Sequence, residues 1–468
     1  MQHSETKSRG NRTAPSHGLR IAIISAAISC LLAPDIWAQS AGSGSTVSGD
    51  RDVVITGDGE LLQNNMGVGN QNKVETATVK NSNTGSVDIS INHTGALIQN
   101  NTGIGEQNTV HTGAVANSNT GDFSSMVTLD SLLQENKGVG NENKAQIGTA
   151  MDSNAGNFTT VNRVENLTQG NTGLGNLNTA NVGSLYNANV GSADVEANVG
   201  ELHQTNVGMS NDNLANVGSA SHSAVGTLRS DATVGTVIQN NAGVYIDNQV
   251  NIGSAQEAEV GTLDSTTRVG GVIQLNTGVG NKNLVNIGSA KNSEAGGIVT
   301  EANVGTVVQA AGGAGNVNEV NVGSVKNSKV DGLRSESTVG NILQTTGGTM
   351  NLNEINVGSI RNSGAGHVVT KNNVGNVTQN SGGMLNHNEV NIGSVRNGNV
   401  GSMDVSASAG NIVQNAFGIA NYNSVNVGSV KNSEIGSHSA NVKVGNVVLN
   451  SNGVGQEAAV NVGSVIIE

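Results

Sequence analysis

From residue 39 onward the chain contains no cysteine, no proline and no tryptophan; Cys30, Pro15, Pro34 and Trp37 all fall within the first 38 residues. Without cysteine there is no disulfide staple and no thiolate metal site. Without proline every backbone position keeps its N–H, which suits uninterrupted sheet ladders. A basic footprint is also missing: the formal net charge is −13, which argues against nucleic-acid binding. After Ala33 no apolar run approaches the length that spans a membrane as a helix, so no membrane insertion is expected. Aromatics make up 1% of the residues and apolar types 35%, a composition that by itself would suggest disorder.

The excluded residue types mark out a leader. Lys7, Arg9, Arg12 and Arg20 precede an apolar run from Ile21 to Ala33, and Ile36-Trp37-Ala38 supplies a small-residue cleavage site. Residues 1–38 therefore read as a secretory signal peptide. Ile28-Ser29 fits a lipidation signal at Cys30 poorly, so no lipid anchor is expected. Loss of four basic and two acidic residues takes the net charge from −13 to −15. Residues 39–58 read as a Gly/Ser-rich mobile leader and a first strand, and 59–468 as twelve repeats.

What is present is a period. Gln63, Gln99, Gln134, Gln169, Gln204, Gln239, Gln274, Gln309, Gln344, Gln379 and Gln414 recur every 35 residues after a first interval of 36. Four residues on stand Gly67, Gly103, Gly138, Gly173, Gly208, Gly243, Gly278, Gly313, Gly348, Gly383, Gly418 and Gly453. Nine residues after each glutamine stand Asn72, Asn108, Asn143, Asn178, Asn213, Asn248, Asn283, Asn318, Asn353, Asn388 and Asn423. Fixed phase over so many copies overrides the disordered reading and means stacked units.

A shorter rhythm lies inside the repeat. Val-Gly or Ile-Gly recurs with its glycine at 305, 323, 340, 358, 375 and 393, spacings that alternate 18 and 17. Glycine in every unit and Val/Ile at the apolar positions disfavour helix and favour extended backbone. Superposing the halves predicts an all-β solenoid of about two dozen 17–18-residue rungs, two per repeat and roughly 115 Å long. Val307, Val325, Ile342, Ile360, Val377, Val395, Ile412, Val430 and Val447 would then form one dry stripe. Asn292, Gln309, Asn327, Gln344, Asn362, Gln379, Asn397, Gln414 and Asn432 would form one buried amide ladder, satisfying donors and acceptors along the axis. Val325 and Asn327 would point inward, Lys326 outward, with the glycines at corners.

Features with chemical potential read blandly. Gly278-Val-Gly-Asn281 lacks the Gly-Lys-Ser/Thr of a phosphate loop. The fixed polar residues are amides, not the aspartates of a calcium roll. The nine histidines share no column, no triad or carboxylate pair stands out, and no cofactor, metal site or enzymatic activity is expected. Lys291, Lys326, Arg361, Arg396 and Lys431 share a column, and Glu319, Glu354 and Glu389 another. Like charges are expected roughly 9.6 Å apart on a solvated face. The sharper alternative is a stripe that orders neighbouring filaments or holds an acidic matrix polysaccharide. The last copy deviates, with Leu449 in the glutamine position and Ile466-Ile467 for Lys-Asn, so Leu449, Val465, Ile466 and Ile467 form a candidate docking edge.

The Gln-x3-Gly-x4-Asn core, as in Gln274 to Gly278 and Asn283, resembles the curlin type of repeat. Gly410-Asn-Ile-Val-Gln-Asn-Ala-Phe-Gly418, with Asn421 and Asn423, is similar to repeats of Fap-type functional amyloids. The resemblance covers residues 59–468; the units here are shorter and more numerous than curlin units, and the Cys-x-x-Cys of Fap subunits is missing. It implies a secreted bacterial fibre subunit of a biofilm or cell-surface matrix, with a nucleator and an outer-membrane export pore as partners of a homopolymer, hence a Gram-negative source. The expectation is a structural subunit assembling end to end; the alternative is a monomeric surface adhesin for carbohydrate or a host ligand.

Overall fold

The computed structural model describes residues 46–47, 51–58, 61–80 and 83–466; the expected signal peptide and half of residues 39–58 lie outside them. The described residues form a parallel β-solenoid of about eleven turns, with no helix among them. In a representative coil β1 spans Lys329–Val339, β2 Ile342–Thr346, β3 Leu352–Val357 and β4 Ile360–Arg361. Copies of β1 and β2 build one 19-stranded sheet, copies of β3 a 12-stranded sheet, and copies of β4 another of 12 strands.

The register corrects the expected rung. Gln309 pairs with Gln344 and Gln344 with Gln379, so one coil takes the whole 35-residue repeat and the half-repeats never stack on each other. Twelve β3-type strands make a stack of roughly 53 Å, half the length expected. The single Val/Ile stripe is accordingly two columns: Val307, Ile342, Val377, Ile412 and Val447 in the large sheet, and Val325, Ile360, Val395 and Val430 in the β4 sheet.

The shared Val-Gly word does two different jobs, which is why superposing the halves misled. Gly323 turns a corner at φ +54, and a Cβ there would lie 2.3 Å from Ser335 Oγ. Gly340 lies in the long-strand column without a positive φ, where a Cβ would come 2.8 Å from the carbonyl oxygen of Gly305 in the coil beneath. One glycine serves a left-handed turn; the other serves close backbone approach.

The interior is built from small and branched side chains. Val330, Leu333, Val339, Ile342, Ile355, Val357 and Ile360 are all buried. Where the leucine column holds Phe123 and Phe158, the rings stack at 5.3 Å and the next coil supplies Ala193. β3 is buried on both faces from Asn353 to Val357, as parallel strands commonly are, so its polar residues must also be paired inside.

Candidate functional site

The glutamines that set the period are buried and form one continuous ladder. From Gln99 to Gln414, each Nε2 donates to Oε1 of the glutamine one coil earlier at 2.7–2.9 Å. The second Nε2 proton goes to a β3 carbonyl, as from Gln344 to Glu389 O at 3.3 Å. Leu449 pairs in backbone register with Gln414, and Gln414 Oε1 has no hydrogen-bond partner. A buried amide acceptor left unpaired costs about 1–3 kcal/mol.

The predicted asparagine column is a second ladder, with Asn318 Nδ2 donating to Asn353 Oδ1 at 2.9 Å and to Ala310 O at 3.0 Å. The glycine column stands at φ between +92 and +150, and a Cβ on Gly348 would come 2.2 Å from Gly313 O. Of the expected docking edge, Leu449 is 44% and Val465 55% exposed, Ile466 pairs in backbone register with Lys431, and Ile467 lies outside the described residues.

The inward asparagines are another matter. Asn292, Asn327, Asn362, Asn397 and Asn432 are exposed, at φ of 48–51, because each caps the outer corner after β4. Asparagine tolerates this left-handed turn better than most residues. Asn327 Nδ2 donates to Asn292 Oδ1 and Asn362 Nδ2 to Asn327 Oδ1, both at 3.2 Å, so the corner carries an outward amide ladder lining an open groove.

Sequence reasoning missed three buried amide series, one of them Asn136, Asn171, Asn206, Asn241 and Asn276 on the long strand. Asn286, Asn321, Asn356, Asn391 and Asn426 form a ladder at 2.8–3.0 Å. Asn316, Asn351 and Asn386 close the tip: Asn351 Oδ1 accepts from Asn316 N at 2.9 Å and its Nδ2 donates to Gly347 O at 2.6 Å. The signal of these last two was present, since Asn-Val/Ile-Gly-Ser and Gly-x2-Asn also hold fixed phase.

The charged columns are not a solvated face. Glu319, Glu354 and Glu389 lie on the buried β3 strands, and the cations of the β4 column fold over them. Lys291 and Lys326 reach Glu319 at 3.2 and 2.8 Å, Lys326 reaches Glu354 at 3.2 Å, and Arg361 contacts Glu354 and lies 4.0 Å from Glu389. Arg396 and His387 also pair with Glu389. Like charges are one coil apart, half the expected separation; interleaving with the opposite sign makes that spacing tenable. Burial alone would raise the Glu319 carboxyl, but Lys291, Lys326 and a hydrogen bond from Asn321 outweigh it and hold it at about 2. Glu389 is likewise held well below the usual carboxylate range, against burial, by His387, Arg396 and Arg361.

Within one coil the Gln, Asn and Glu columns come together around β3, while the corner asparagines stand apart from them. The arrangement is repetitive, and among the described residues no group of three or more His, Cys, Asp or Glu could hold a metal ion. What repeats is like residue on like at strand spacing, one coil on the next within the chain. Comparison with family models, curated proteins and solved structures found no match.

Proposed function

We propose that the chain is a secreted, non-enzymatic structural subunit whose solenoids join end to end into extracellular, amyloid-like fibres of a matrix. The observation that carries this reading is the in-register parallel stacking of like residue on like. Each coil offers the next a full row of backbone donors and acceptors together with matched amide ladders. A strand edge of this kind, wherever it is open, templates an identical chain. A nucleator and an export pore belong to the proposal through the repeat resemblance. The test is electron microscopy and fibre diffraction of the purified chain from residue 39. Fibres with a cross-β spacing of roughly 4.7–4.8 Å are expected. A chain that stays a monomeric rod for days at high concentration overturns the reading.

A second reading, an adhesin for polysaccharide, is favoured by the outward ladder of Asn292, Asn327, Asn362 and Asn397, whose amides suit sugar hydroxyls. Glycan binding by fixed-length rods that do not polymerise would select it.

A further inference from the structure

Each coil passes from its long strand to β3 through a short tip, Gly348-Thr349-Met350 in the representative coil. Two adjacent tip positions stack into columns that run the length of the solenoid. The first runs in register from Val68 through Leu174 and Val279 to Ile419 and Val454, with Thr349 its one polar member. Its side chains face solvent: Val68 is 74%, Leu174 44% and Ile419 47% exposed. The second column is left-handed throughout and is glycine in seven coils, at φ +64 to +70. Yet Tyr245, Met350 and Leu385 occupy it at φ 53, 56 and 56, exposed by 67, 59 and 52%.

Bulky side chains in a left-handed turn strain the backbone, and exposed apolar ones gain little burial in return. Within the chain these three residues are a cost without compensation. The Tyr245 ring lies along the ridge over Gly280, where a Cβ would come 2.7 Å from it. Neither column holds a charged residue in any of its twelve positions, although the chain carries net charge −13. Charge depletion with exposed aromatic and methionine side chains is the composition of an interface core.

We infer that this ridge is a lateral docking surface for a second copy of the same chain, side against side. A second copy repeats the same step at every coil and so matches the ridge along its whole length, which neither a globular partner nor a lipid surface does. A ridge roughly 53 Å long that buried on the order of 600 Å² per partner, about 1,200 Å² in total, would reach the lower bound of a specific interface. This goes beyond end-to-end joining, which uses strand edges, so either contact can fail without the other.

The experiment is sedimentation equilibrium together with electron microscopy of the chain from residue 39 and two variants. In the first, Tyr245→Gly/Met350→Gly/Leu385→Gly, thermal stability should hold or rise, because glycine suits the turn. Side-by-side association should weaken at least about tenfold, and any fibres should stay one rod wide. Leu174→Ser/Val279→Ser in the other column should act in the same direction. Parent rods that remain unpaired at micromolar concentration overturn the inference, as does a triple variant that pairs as tightly as the parent. Ridge-dependent binding to neutral phosphatidylcholine vesicles without pairing also overturns it. Paired rods that never join end to end would leave the inference standing and overturn the fibre reading instead.

Discussion

The same seam between the β3 and β4 sheets is filled in two ways along the stack. The first coil carries Lys73 and Lys80 around Glu75. From there to Lys291 the β4 column reads Ala116, Met151, Tyr186, Ser221 and Gln256, opposite Thr109, Lys144, Thr179, Leu214 and Gln249, and apart from Lys144 that stretch is neutral. From Lys291 to Arg396 it is a row of cations over Glu319, Glu354 and Glu389. A second difference accompanies the first. The buried amide at Asn136, Asn171, Asn206, Asn241 and Asn276 gives way to Ala311, Thr346, Ser381 and Ala416 in the same column. One backbone accepts either filling because the β3 ladder and the glutamines run unchanged through both regions. The seam contents are therefore free to vary, provided that each coil matches its neighbour.

The sharpest way to break the comparison is to remove one charge. Glu354→Ala leaves Lys326 and Arg361 facing each other in a seam where their side chains are 12 and 19% exposed. We expect a loss of about 3–5 kcal/mol in urea unfolding, whereas Thr179→Ala in the neutral region should cost at most about 1 kcal/mol. Equal losses would mean that the seam charges are not coupled.

Acid should separate the regions next. Burial, helped by Lys73, Lys80 and Lys144, pushes His111, at the start of the neutral stretch and one coil above Glu75, down to about 4 from an ordinary 6.5, outweighing the attraction of Glu75. A histidine with a lowered folded value is protonated more readily when unfolded, so its contribution is present above pH 6.5 and is lost as pH falls to about 4. Glu319, depressed from 4.5 to about 2, contributes stability that is lost only below pH 4.5. His111→Gln, which copies Gln146 of the next coil, should remove roughly 2–3 kcal/mol of acid sensitivity above pH 4 and leave the lower limb intact. The measurement is the unfolding midpoint as a function of pH.

Much of this was legible in the sequence, and the reasons for the rest are specific. The 35-residue period by itself marks Gln309, Gln344 and Gln379 as a column, because a buried amide tolerates no phase error. Coil size was misjudged because Val322-Gly323 and Val339-Gly340 are spelled alike while only Gly323 has a positive φ. Backbone conformation does not show in such a dipeptide. Asn327 followed the same error to the wrong side of the chain. The charged seam was illegible for another reason: the alternation that places Lys326 outward says nothing of a second sheet whose carboxylates reach back over it.

The glutamine ladder supplies a control common to both regions. Gln344→Leu and Gln169→Leu should each cost about 1–3 kcal/mol, since each leaves the next glutamine without its acceptor, as Leu449 leaves Gln414 without its donor. If one region suffers much more than the other, the two stacks do not share a frame. Equilibrium unfolding of the two variants side by side decides it.

The smallest effect concerns the long strand, which is continuous in coils such as Glu294–Ala314 but divided between Val339 and Ile342 and in the coils that follow. After the glycine the continuous coils carry Glu201, Thr236, Gly271 or Thr306; the divided ones carry Asn341, Asn376 and Asn411. Asn376 N donates to Asn341 Oδ1 at 3.0 Å, and Asn411 N to Asn376 Oδ1 at 2.9 Å. The side chain thus takes the N–H that a carbonyl would otherwise accept, the local competition at which asparagine excels. Asn341→Thr/Asn376→Thr/Asn411→Thr should return these N–H groups to the backbone ladder. The exchange replaces one satisfied bond by another, so the expected change in stability is under about 1 kcal/mol. The readout is therefore amide hydrogen exchange at positions 376 and 411, whose N–H groups change partner and should come to exchange like that of Thr306 in a continuous coil. Unchanged exchange there would place the division in the glycines rather than the asparagines.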